Sequence, residues 1–355
     1  MAIDFVKVDA NSLADFTLAC FKAIGLNEEK ARLCANALMF SELRFHPGQG
    51  QGVRRLPAYR ERLSKGWIDK DAPFEILKES PALALVDAHN GLGSVIGQKA
   101  MALAVEKAKT CGVGTVLVKG STHYGSSAVH ADVALKQDCI GIAMTNAGPE
   151  MAAWGGSTAV VGTNPWALAA PTGLGFNVSL DIALTTAGKG MMHWLEREGK
   201  AMPGDWALTP EGEETTDPAA AMMGALLGIG QYKGYGLSFM TDVMTGVLSG
   251  GAFGLTPYAK ADKQDVAHSF IAFDIAWFMP LDAFKKRMDA FIAEIKQSKL
   301  RPGFLEVFVP GELEHRREIE RREQGVKLDA EVFDELASLA RTLDVDFPFQ
   351  RALVP

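Results

Sequence analysis

Between residues 113 and 182 the chain passes through four short apolar or β-branched runs, at 113–118, 140–145, 167–170 and 178–182, separated by Gly, Asn and Pro. Runs of this length bounded by turn formers read as strands with loops at their ends. A further strand is expected at 83–87 and another at 305–309. The flanking sequence is helical in pattern. Asn11 offers a cap for a first helix, and Asn27 opens a second that runs to about Glu42. A basic amphipathic helix is expected over 55–64 and an Ala-rich one over 97–109. Helical spacing returns at 235–248 and 281–296, with a charged helix near 313–324. Strand and helix signals are mixed along the chain, with no internal repeat, and 355 residues suffice for two or three packed units.

Hydrophobic residues make up 48% of the chain, enough for a core, and the net charge of −7 offers no basic footprint for nucleic acid. An anionic substrate therefore needs a local pocket of positive charge. The four cysteines, Cys20, Cys34, Cys111 and Cys139, show neither C-x-x-C nor metal-ligand spacing and read as reduced thiols. The seven histidines form no H-E-x-x-H pattern, so no metal is expected. No apolar run reaches the ~18 residues of a membrane span. The start Met1-Ala-Ile-Asp-Phe has no basic, apolar leader, so a soluble cytoplasmic protein without a membrane partner is expected.

Gly91-Leu-Gly93-Ser-Val-Ile-Gly97 follows a strand and precedes a helix, which invites a Rossmann reading. The spacing is one residue too long, and no acidic residue follows at the proper distance on a second strand. A tight turn with close backbone packing accounts better for these glycines.

Four segments carry candidate chemistry. Gly120-Ser-Thr-His123-Tyr-Gly125-Ser-Ser127 follows a strand, and an imidazole there suits proton transfer near neutrality, although a lone loop histidine is more often structural. Thr145-Asn146-Ala-Gly-Pro149 and Gly162-Thr-Asn164-Pro165 end β-type runs with amides and hydroxyls able to hold a carboxamide or ribose, or to form ordinary turns. Tyr232-Lys233-Gly234 opens a helix where a lysine can meet phosphate. Arg54-Arg55-Leu-Pro-Ala-Tyr59 offers a planar fork for a carboxylate. Trp154 and Trp166 lie beside these loops and would favour a bulkier substituent if they face the substrate.

In this order the segments resemble the malate/L-lactate dehydrogenase-like family, which includes ureidoglycolate and sulfolactate dehydrogenases and cyclic-imine reductases. The resemblance runs from Leu43-Arg44 and Arg55-Leu-Pro-Ala-Tyr59 through Thr122-His-Tyr-Gly125, Gly162-Thr-Asn-Pro165, Leu180-Asp181, Thr216-Asp-Pro218 and Lys233-Gly-Tyr-Gly-Leu237 to Val309-Pro-Gly-Glu312. It implies an α/β, non-Rossmann nicotinamide-binding fold with a largely antiparallel mixed sheet and a helical N-terminal and C-terminal unit. Residues 1–75 would pack with 305–355, and 76–304 would form the cofactor-binding region. It implies NAD or NADP as cofactor, a homodimer, and hydride transfer at C2 of a small carboxylated 2-hydroxy or 2-oxo acid. An imino acid is the alternative substrate, and a catalytically silent nucleotide-binding protein the alternative of another kind.

Carried over by residue, His123 is the acid/base and Arg55 the carboxylate anchor, with Tyr59 nearby. Ser121, Gly125, Asn146, Asn164, Leu180, Asp181, Lys233, Gly234, Pro310, Gly311 and Glu312 would line the cofactor. One departure stands out. Gln51 occupies the place where the family usually has a catalytic histidine, on a loop about two residues longer than usual. Glutamine cannot shuttle a proton at neutral pH, which leaves His123 alone, or His46 swinging in, as the proton carrier, or an altered chemistry at this site.

Overall fold

The computed structural model describes residues 3–354; Met1 and Ala2 of the leading segment, and Pro355, lie outside it. Helix Gly93–Cys111 organises the fold. It starts four residues before the Ala-rich pattern, with Gly93 against the backbone of residues 122 and 123 and Gly97 leaving room for the His130 and Phe270 rings. It crosses from strand Leu83–Asp87 to strand Val113–Ser121, which pair in parallel. Every other pairing in the seven-stranded sheet is antiparallel. The sheet order is Glu75–Glu79, Leu83–Asp87, Val113–Ser121, Val266–Asp274, Cys139–Thr145, Trp166–Ala170, Val178–Ile182. This is the largely antiparallel mixed sheet that the resemblance implies, and it is not a Rossmann sheet.

Strand Val266–Asp274, which no periodic signal marks, lies at the centre of the sheet. It is buried on both faces, so the alternation that betrays a half-exposed strand is missing. The expected strand at 305–309 does not form. Leu305 is 96% exposed, Lys296 Nζ takes the Val307 carbonyl at 3.0 Å, and no ladder partner is present.

Helices Ala10–Ala23, Glu28–Arg44, Leu56–Ser64 and Ala330–Leu343 enclose one hydrophobic cluster, in which Leu13, Phe21, Leu56 and Leu336 are fully buried. Asp9, rather than Asn11, caps the first helix through Ser12 N at 2.8 Å, and Asn27 caps the second. A small antiparallel sheet, Val326–Asp329, Phe5–Val8, Leu353–Val354, ties the two chain ends together. A second cluster fills the space between helix Gly93–Cys111 and the large sheet. The charged helix Glu312–Gln324 does more than face solvent: Arg321 Nη1 donates to Glu42 O and to Phe45 O at 2.8 Å, satisfying carbonyls at the end of helix Glu28–Arg44. No helix among the described residues is long and apolar enough to cross a membrane.

Candidate active site

The glycine run sets the histidine loop in place. A Cβ on Gly93 would stand 2.1 Å from Thr122 O and 2.7 Å from His123 O, so only glycine lets the helix start meet this loop. Thr122 Oγ1 locks the contact, accepting from Gly93 N at 3.0 Å and donating to Gly91 O at 2.9 Å. His123 is then fixed at both ends. Its N–H donates to Gln264 Oε1 at 2.7 Å, and its Nδ1 lies 3.0 Å from the Tyr59 hydroxyl. Tyr59 is buried in helix Leu56–Ser64, and burial holds its phenol well above the usual range. Burial, reinforced by the Arg55 guanidinium, pushes the His123 imidazole well below its ordinary value, so the ring is neutral at pH 7.

Arg55 closes the loop before that helix. Its Nε donates to Gly50 O at 2.6 Å, and both Nη groups make no hydrogen bond or ion pair among the described residues. The fork is therefore available to a carboxylate. The loop is pinned from behind by Glu42, whose Oε2 accepts from Val53 N at 2.9 Å and fills the space where a Cβ on Gly52 would go. His46 Nδ1 accepts from Gly48 N at 3.0 Å and its ring meets Trp194 edge-on at 5.2 Å, a loop-closing arrangement outside the main cavity.

That cavity, of about 740 Å³, opens between the 48–55 loop, the 125–127 turn, the end of strand Val178–Ile182 and the start of helix Lys189–Glu198. Gln51, Arg55, Gly125 and Asp181 line it, bringing together four of the residues expected from sequence. Asp181 Oδ2 accepts from Ala128 N at 2.7 Å, at the start of helix Ala128–Leu135; burial raises its carboxyl to about 6 against the pull of this bond. His123 and Tyr59 are not among the lining residues, and the charge of Arg55 acts on both.

The remaining sequence candidates are placed elsewhere. Ser121 is fully buried, with its hydroxyl 2.8 Å from His268 Nε2. Asn146 and Asn164 are internal bridges. Asn146 Oδ1 accepts from Ala267 N at 2.8 Å, Asn164 Oδ1 accepts from Ala147 N at 2.9 Å, and the two Nδ2 groups donate to Asp242 at 3.1 and 3.2 Å. Leu180 pairs with Leu168 in the sheet. Pro310 O accepts from Ser179 N at 3.1 Å, Gly311 packs against the same strand, and Glu312 is buried with Lys296 and Arg316. Lys233 is exposed and Gly234 is packed under Leu184 O. Trp154 is exposed and Trp166 Nε1 donates to Thr241 at 2.7 Å; the tryptophan on the cavity is Trp206.

Sequence reasoning missed Glu150, Lys189 and His193, all on the cavity wall. Glu150 directly follows the Thr145–Pro149 segment singled out above, and a carboxylate next to a proline turn reads as a solvated group until the chain is folded. A cavity of this size is in the range of small-molecule and cofactor sites. Two of its polar groups, Gln51 Oε1 and Thr185 Oγ1, are buried without a hydrogen-bond partner among the described residues, as a site for a carboxamide or hydroxyl requires. No group of His, Cys, Asp and Glu among the described residues is arranged to hold a metal ion.

Comparison with known proteins gives the family. The malate/L-lactate dehydrogenase family profile matches residues 8–337. Malate dehydrogenase of Pyrococcus abyssi is 36% identical over 351 residues, covering 96% of each chain. L-sulfolactate dehydrogenase of Methanocaldococcus jannaschii is 35% identical over 332 residues, 92% of this chain and 94% of that protein. The crystal structure of malate dehydrogenase from Entamoeba histolytica superposes with a TM-score of 0.93 at 29% identity, covering 97% of this chain and all of that one. Other relatives carry their cofactor in their names, NADP(+) for a (2R)-3-sulfolactate dehydrogenase and NAD(+) for a ureidoglycolate dehydrogenase. The chain belongs to the malate/L-lactate dehydrogenase family and is an NAD(P)-dependent oxidoreductase.

Proposed function

We propose that this protein transfers a hydride reversibly between NAD(P) and C2 of a small carboxylated 2-hydroxy or 2-oxo acid. The observation that carries the reading is the unpaired Arg55 fork on the cavity wall, with neutral, half-buried, Tyr59-bonded His123 near enough for the Arg55 charge to act on it. Gln51, Thr185 and Asp181 are the residues that would hold the nicotinamide end, and the bound cofactor supplies the hydride-accepting or hydride-donating carbon. Arg55 binds the substrate carboxylate through its two Nη groups. In oxidation, neutral His123 takes the hydroxyl proton as the C2 hydride leaves, giving a ketone. In reduction, protonated His123 returns that proton to the nascent alkoxide. A bound carboxylate offsets the Arg55 charge that disfavours imidazolium, so substrate binding itself prepares His123 to carry a proton. Tyr59 fixes the ring orientation.

Two finer points belong to the same proposal. Helix Tyr232–Asp242 and the turn after it expose Tyr232, Leu237, Phe239, Met240, Val247 and Leu248, an apolar face that fits a homodimer. The four cysteines are free thiols, which fits a reducing, cytoplasmic setting. Gln51 favours a second reading, reduction of an imino acid, because a protonated imine asks less of a proton donor. A spectrophotometric screen of NADH and NADPH with 2-oxo acids and cyclic imino acids separates these. Oxo-acid turnover supports the proposal, and turnover confined to imines replaces it with the second reading. Cofactor binding without any turnover would leave a silent nucleotide-binding protein.

A further inference from the structure

The charges around the cavity do not suit the second acidic group that malate and sulfolactate carry. Glu150 lines the wall together with Arg55 and Lys189. Its backbone is held on both sides, its N–H donating to Val161 O at 2.9 Å and its carbonyl accepting from Leu226 N at 2.8 Å, so the residue cannot drift outward. Its carboxylate makes no hydrogen bond and no ion pair among the described residues, although it is largely withdrawn from solvent. Burial pushes its carboxyl upward, and Lys189 and Arg55, the charged neighbours that act on it, pull it back, while its own charge acts on the Tyr258 phenol. Neither cation is bound to it. Arg55 Nε is engaged by Gly50 O, and Lys189 Nζ donates to Met222 O at 3.1 Å.

The wall therefore carries three cations, Arg54, Arg55 and Lys189, and two carboxylates, Glu150 and Asp181. A monoanionic acid seated on Arg55 brings the charges of the wall to neutrality, whereas a dianion would leave one excess negative charge. An unpartnered carboxylate in a partly dehydrated site repels a further anion and attracts a hydrogen-bond donor. We infer that Glu150 selects the substrate, and that the group at the end remote from C1 is a hydrogen-bond donor or cation, such as a hydroxyl, amide, ureido or ammonium group, rather than a second carboxylate or a sulfonate. The inference rests on the 2-hydroxy acid reading and narrows it. It separates this chain from the malate and sulfolactate dehydrogenases to which it is similar.

The test uses two nearly isosteric substrates, malate and its half-amide in which the carboxylate remote from the hydroxyl has become a carboxamide. The comparison is of kcat/KM with NAD(+) and NADP(+), and of Kd on the enzyme saturated with reduced cofactor. The wild-type protein should favour the half-amide by about tenfold or more, and Glu150→Gln should shift that ratio towards malate by a similar factor. Glu150→Ala provides a second variant, and an unchanged thermal midpoint shows that either has folded. A wild-type preference for malate, or a ratio indifferent to both substitutions, overturns the inference while leaving the dehydrogenase reading intact. If neither compound is oxidised, the Kd ratio still decides the role of Glu150, and the screen above decides the reaction.

Discussion

The loop that carries His123 rests on a stack of buried rings, and acid should loosen it by a calculable amount. Tyr124 lies between His130 and His268, with ring centroids 4.3 and 4.6 Å away. His130 Nε2 lies 3.0 Å from Tyr124 O, while its Nδ1 is buried without a partner. His268 bridges Thr145 and Ser121 at 2.7 and 2.8 Å, joining the ends of the two strands that flank its own. Burial lowers both imidazoles to about 3, and each would return to its ordinary range in an unfolded chain. The folded pKa lies below the unfolded one, so the stability given by these neutral rings is complete above roughly 6.5 and declines as pH falls towards about 3. At pH 5 unfolding should take up about one proton per histidine, a loss of about 2 kcal/mol each relative to pH 7. Asp181 works in the opposite sense. Its carboxyl is raised to about 6, so the folded chain retains a proton at pH 5 that the unfolded chain gives up. That offsets about 1 kcal/mol of the loss. Proton uptake is measurable from unfolding heats in buffers of different ionisation enthalpy. His268→Gln, which can still bridge the two hydroxyls, should take up about one proton fewer than wild type at pH 5. Equal uptake by the two proteins would refute the idea that His268 is held neutral by burial.

The other predictions concern the catalytic cluster. His123→Ala should lower turnover by about 10²- to 10⁴-fold while the Kd for NADH, read by fluorescence, stays within about twofold; unchanged turnover would remove His123 from the mechanism. Because His123 is neutral at rest, kcat/KM for hydroxy-acid oxidation by the wild-type protein should be flat above about pH 6.5 and decline only in acid. Arg55→Lys keeps the charge and loses the fork, so kcat/KM should fall by roughly ten- to a hundredfold, mostly through KM. Gly93→Ala drives a methyl into Thr122 O and should cost about 1–3 kcal/mol of stability together with a fall in kcat, because the displaced backbone is that of His123. Loss of stability with kcat unchanged would separate the glycine from the active loop.

How much of this was legible in the sequence depended on whether a residue's neighbours in the chain are also its neighbours in space. The strands at 83–87, 113–121 and 139–145 and the helix Leu281–Lys296 carry local period and breakers, and they appear close to where the pattern puts them. Val266–Asp274 fails that test because its environment is made wholly by two other strands. Leu305–Val309 fails in the reverse direction: the run is apolar, but Pro302, Gly303 and Pro310 bracket it and nothing pairs with it. Arg55, Tyr59 and His123 were visible because their types are chemically distinctive among glycines and prolines. Glu150 and Lys189 acquire meaning only from each other, across 39 positions of chain.

One element explains why the proposed catalytic groups meet at all. Helix Gly93–Cys111 serves both hydrophobic clusters: Val95 packs with the N-terminal helices, while Ile96, Ala100 and Met101 pack with the sheet. Tyr59 belongs to the first cluster and Tyr124, adjacent to His123, to the second. The 3.0 Å contact between Tyr59 and His123 therefore exists only while the two clusters are docked on that shared helix. Of the glycines that resemble a dinucleotide fingerprint, Gly93 sits at this junction, where it lets the helix start approach the His123 backbone instead of a pyrophosphate. The reason for glycine is close backbone approach in either case. What differs is the partner, and here the partner is the chain itself.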